Sequence, residues 1–132
     1  MAARKLTPQE LQAIRALATQ WGKIVARHAF GDAGPGLDVD LLALEEVATA
    51  AAHGLNAGTL ATLLEQQAQA LPAEQPCPAC GQLCPVGHDP RPLVGHGGTL
   101  TYQEPLCHCP ACRRDFFPSA ARLAPGRAQL HP

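Results

Sequence analysis

Apolar residues recur at Leu11, Ile14, Leu17/Ala18, Trp21, Ile24/Val25 and His28/Ala29, with polar positions between them. Steps of three and four predict an amphipathic helix. Thr7-Pro8-Gln9-Glu10 reads as its start. Thr7 can accept a backbone N–H, Pro8 suits the first helical position and Glu10 completes a capping box. The Gly31–Gly36 stretch ends the pattern. Asp38 or Asp40 suits the cap of a second helix with apolar positions at Leu41, Leu44, Val47/Ala48, Ala51 and Leu55. Leu60, Leu63/Leu64 and Leu71 carry it on. Gly54, Asn56 and Gly58 either interrupt this helix or form a turn between two. Pro72 and Pro76 then stop it.

Beyond Pro76 the period changes. Thr99-Leu100-Thr101-Tyr102-Gln103-Glu104 alternates and predicts a strand. Arg113 to Phe117 predicts a second, short one, ended by Pro118. Asp89-Pro90-Arg91-Pro92 and Gly95-His96-Gly97-Gly98 read as turns. The expected fold is small α+β: Ala/Leu-rich helices over residues 1–71, a linker at 72–76, a four-cysteine ribbon at 77–118 and a flexible tail at 119–132.

Composition sharpens this division. The 132 residues suit one small domain with a helical arm, and Ala, which covers little surface, supplies 24 of the apolar residues. Residues 1–76 carry a net charge of −3 and residues 77–132 a net of +2, for −1 overall. That balance creates no strong field towards nucleic acid or acidic lipid. The start of the chain lacks the apolar run of a secretory leader, and no stretch is apolar enough to span a bilayer. The expectation is a cytoplasmic protein without a membrane partner or a small-molecule substrate.

Ala50, Gly54 and Leu60 stand at helix-turn-helix spacing, which would make residues 57–70 a DNA-reading helix. That helix offers Thr59, Thr62, Gln66, Gln67 and Gln69 but no Lys or Arg. Phosphate anchoring normally uses basic residues, so an Ala-rich packing or pairing helix is the better reading.

All six cysteines lie in the second half. Cys77-Pro78-Ala79-Cys80 and Cys109-Pro110-Ala111-Cys112 are two copies of one tetrapeptide, separated by 28 residues. Each such turn sets two thiolates on one side of a tight loop, and two loops supply four tetrahedral ligands. Pro78 and Pro110 fix φ in each turn, and Gly81 can take the left-handed conformation that folds the chain back. One structural zinc ion held by Cys77, Cys80, Cys109 and Cys112 is expected. An iron–sulfur cluster uses the same ligands, and the ligands alone do not separate the two. Cys84 and Cys107 read as free thiols or small packing residues. His108 is expected to turn away from the site, since neighbours on a strand face opposite sides. Either Phe116 or Phe117 is expected to pack beneath the metal.

The run Cys77-Pro-Ala-Cys-Gly81, then Arg91-Pro92 and Gly98-Thr99-Leu100, then His108-Cys-Pro-Ala-Cys-Arg-Arg-Asp-Phe-Phe-Pro118 resembles the N-terminal part of the ISKra-four family of bacterial insertion-sequence transposases. The resemblance covers roughly residues 38–123. It implies DNA binding and self-association for the ribbon and helices. In that family a longer domain follows, which cuts and joins DNA with carboxylate-held divalent metal. Here Pro132 comes 20 residues after Cys112, with Asp115 the sole acid between them. A nuclease domain would need about 100 further residues or more. The expectation is therefore a truncated transposase without enzymatic activity. Its plausible phosphate contacts are Arg91, Arg113, Arg114, Arg122 and Arg127. The alternative is a protein–protein adaptor whose ribbon is only a fold staple and whose helices self-associate.

Overall fold

A computed structural model describes residues 5–119. The expected α+β class is the one observed: two helices, α1 (Pro8–Phe30) and α2 (Leu41–Gln69), followed by four strands. These are β1 (Glu74–Pro76), β2 (Leu83–Gly95), β3 (Gly98–Cys109) and β4 (Arg114–Phe116), in one antiparallel sheet of order β1-β2-β3-β4. The chain divides into two compact units inside α2, between Ala52 and His53.

In the first unit the Thr7 capping box is complete: the Thr7 hydroxyl accepts the Glu10 N–H at 3.1 Å, and the Glu10 carboxylate accepts the Thr7 N–H at 2.9 Å. Asp40 caps α2 by accepting the Ala43 N–H at 2.9 Å. α1 buries none of its side chains.

α2 runs without a break through Gly54, Asn56 and Gly58, so the two-helix option and the helix-turn-helix spacing do not materialise. A turn there would need a left-handed residue, and neither glycine takes one. Strong helix formers on both sides carry the helix through, at a cost of about 1 kcal/mol per glycine.

In the second unit the long hairpin β2–β3 is joined by the two-residue turn His96-Gly97, with Gly95 opposite Gly98. One face of the hairpin packs Leu93, Leu100 and Tyr102 against Ala57, Leu60, Ala61 and Leu64 of α2. A side chain at Gly97 would meet the amide of Asn56, which would have to swing aside to admit it. The opposite face, nearer the sheet's other end, buries Cys77, Cys84, Cys107 and Cys109, with Val86, Cys112 and Phe116 against them.

Two expectations are corrected here. Residues 72–76 contribute β1, paired from Glu74↔Pro85 to Pro76↔Leu83, rather than a bare linker. The stretch Asp89 to Pro92 is strand, not turn. Its prolines are tolerated because of their register. The Val86 N–H donates to the Ala73 carbonyl at 3.0 Å, away from β3. Alternation then directs the nitrogens of Pro90 and Pro92 away from β3 as well, where no ladder bond is lost.

Candidate metal centre

Each Cys-Pro-Ala-Cys turn is followed by a residue in the left-handed region. After the first, Gly81 sits at φ 79° and donates its N–H to the Cys77 carbonyl at 2.8 Å. After the second, the equivalent residue is Arg113, at φ 55°. The sequence places Arg113 and Arg114 together on an outgoing strand. In the structure Arg113 belongs to the turn and Arg114 opens β4 opposite Cys109.

A non-glycine residue in the left-handed region costs about 1–2 kcal/mol. Arg113→Gly is therefore expected to raise stability by about 1 kcal/mol, and Gly81→Ala to lower it by about the same. No atom would meet a side chain at Gly81, so the second effect is purely conformational. Denaturant titration of the metal-loaded protein checks both. Equal stability of Arg113→Gly and the parent would contradict the strain.

The two turns bring together Cys77, Cys80, Cys109 and Cys112, whose sulfurs all lie within 4.8 Å of one another and could hold a metal ion. The Cys77–Cys112 sulfurs are 3.8 Å apart and the Cys80–Cys109 pair 3.5 Å. Four thiolates at about 2.3 Å from a tetrahedral ion would be separated by about 3.8 Å, so the donor set fits.

The electrostatics favour ligation. The Cys112 N–H donates to the Cys109 sulfur at 3.4 Å, which draws that thiol down to about 6. The Cys80 N–H lowers Cys77 in the same way. Without a cation Cys112 is pushed up to about 12 by its hydrogen bonds to Cys80 and Cys77. Metal entry at neutral pH therefore releases protons from the cluster.

Cys84 and Cys107 are buried beside this group but outside it. Burial raises both thiols, Cys84 to about 11, so they remain protonated packing residues at neutral pH. His108 lies on the other face of β3, exposed, with its Nδ1 2.7 Å from Asp115. Phe116 is the phenylalanine that packs on the cysteine core.

Arg91 has partners that sequence reasoning did not supply. Its Nε lies 3.2 Å from Asp89 and 3.6 Å from Glu104, and its guanidinium stacks on Phe117 at 4.9 Å. Glu104 is fully buried and Arg91 only 20% exposed, so two carboxylates already match this charge. Tyr102, opposite Arg91 on β3, is pushed up to about 12 by burial and by Glu104. The signal was in the alternation: Asp89, Arg91 and Leu93 share one face of β2, and Leu100, Tyr102 and Glu104 the same face of β3. Arg113 and Arg114 are exposed. Arg122 and Arg127, and the expected tail from residue 120 onward, lie outside the described residues.

Compared with known protein families, curated proteins and solved structures, the chain matches none. No helix among the described residues is long and apolar enough to cross a membrane.

Proposed function

We propose that this chain is a non-catalytic adaptor: a zinc-pinned ribbon that holds the fold together, and helices that dock another protein. The carrying observation is α1, where Leu11, Ile14, Leu17, Trp21 and Ile24 are each 41–62% exposed along one stripe. A stripe of that kind normally covers a core. Zinc is the ion of choice, since four thiolates close a tetrahedral site and leave no position for a substrate. The metal then staples the fold and performs no reaction. Six free thiols suit a reducing compartment, which supports a cytoplasmic location.

The second reading is DNA binding, as the transposase resemblance implies. The observation favouring it is Arg113, kept as an exposed cation where glycine would be less strained, with exposed Arg114 beside it. Against it, residues 77–119 hold three Arg and three acids, and a four-thiolate site around a divalent ion adds two negative charges.

Duplex-DNA titration across a salt series separates the readings. The adaptor reading expects only weak binding, with Kd no tighter than about 10⁻⁴–10⁻⁶ M at physiological salt. It also expects no change of salt slope in Arg113→Ala/Arg114→Ala. Tight binding, with the double variant flattening the slope by about one to two units, would replace it with the DNA reading.

A further inference from the structure

The apolar stripe of α1 is flanked by Arg15 and by Arg27, which also pairs with the exposed Asp32 just beyond the helix at 3.2 Å, and the helix itself carries Lys23 against a single acid, Glu10. The first turns of α2 show the opposite combination. Leu41, Leu44, Val47, Ala48 and Ala51 recur at helical spacing on one face, and none of them is buried. Asp38, Asp40, Glu45 and Glu46 supply negative charge there, and residues 38–52 contain no Lys or Arg.

We propose that α1 of one chain docks on residues 41–52 of α2 in a second copy, giving a symmetric dimer with four helices at its centre. This rests on the adaptor reading and names its partner. Each chain carries both the basic stripe and its acidic complement, so a two-fold arrangement satisfies both surfaces twice and closes. Pairing α1 with α1 would instead bring two basic helices together. The α2 face is rich in Ala, which leaves room for the large Leu, Ile and Trp side chains of α1. The capping box holds α1 in helical form beforehand, which reduces the ordering cost of docking.

Trp21 is the only tryptophan and lies on the docking stripe, so it reports directly. The experiment is sedimentation equilibrium of the zinc-loaded full chain over a wide concentration range, with tryptophan emission recorded in parallel. The expected mass is twice 13.8 kDa, with emission moving to shorter wavelength as the dimer forms. Glu45→Lys/Glu46→Lys is expected to weaken the dimer by about tenfold or more, and adding Arg15→Glu/Arg27→Glu to restore it. Zinc content reports folding of the ribbon, which contains none of these positions, and is expected to stay at one per chain.

A monomer at every concentration overturns the proposal, whether Trp21 stays exposed or is covered within its own chain. A dimer indifferent to both charge reversals overturns it too. Failure here with weak DNA binding in the salt series removes only the second copy as partner. Tight, salt-dependent DNA binding removes the adaptor reading itself.

Discussion

Cys77→Ser and Cys109→Ser are expected to lose the metal and unfold the ribbon, while Cys84→Ser and Cys107→Ser keep one zinc per chain. The effect is large because metal binding in a small module is folding free energy, about 10–16 kcal/mol for structural zinc at pH 7. Cys77 and Cys109 are the thiols whose ionised forms are held by backbone N–H groups of their own turns. Serine at either position leaves that donor with a weaker partner and the ion with three sulfurs. Cys84 and Cys107 only fill space, and serine there costs stability without removing a ligand. Metal analysis and far-ultraviolet circular dichroism check this, with a chelator as the parallel arm. The chelated protein should keep the helicity of α1, which lies in the other compact unit and starts from its own capping box. Release of zinc by Cys84→Ser as readily as by Cys77→Ser would show the ligand set to be different.

Arg91→Met is expected to cost about 3–5 kcal/mol, because it withdraws the cation from the buried Glu104 carboxylate. The same substitution removes the guanidinium from the Phe117 ring and leaves Asp89 without its neighbour. Combining it with Glu104→Leu should recover most of the loss, since an apolar pair in place of a buried ion pair is often neutral. Urea unfolding of the four proteins of this double-mutant cycle reads the coupling directly. A loss below about 1 kcal/mol for Arg91→Met would place the pair among exposed bridges of little worth.

What the chain discloses in advance follows the range of the interactions involved. Thr7 to Glu10 and the two Cys-Pro-Ala-Cys turns are built from neighbours, and their roles are readable from four or five residues. The stripe on α1 is readable because its period is local, though the period does not say that the stripe stays uncovered. β2 was hidden because Pro90, Pro92 and Gly95 argue against a strand one residue at a time. Its existence depends on which edge those nitrogens face, and that is decided by pairing with β3. The role of Arg91 was hidden for the same reason: the register Asp89↔Glu104 and Arg91↔Tyr102 creates its surroundings. Gly54 and Gly58 were ambiguous because only the energy of the whole helix decides whether it continues through them.

The prolines of β2 have a consequence for what can attach to the sheet. Beyond the short β1, the outer edge of β2 has no neighbouring strand among the described residues. An edge of that length would ordinarily recruit a foreign strand, through partner peptides or through aggregation. Pro90 and Pro92 remove two successive outward donors from it, and their rings stand where an incoming backbone would pair. Strand addition is thereby blocked over the middle of β2, and edge-to-edge stacking of ribbons is blocked with it. The hairpin can grow long for its size without becoming a template, which leaves recognition to surfaces made of side chains.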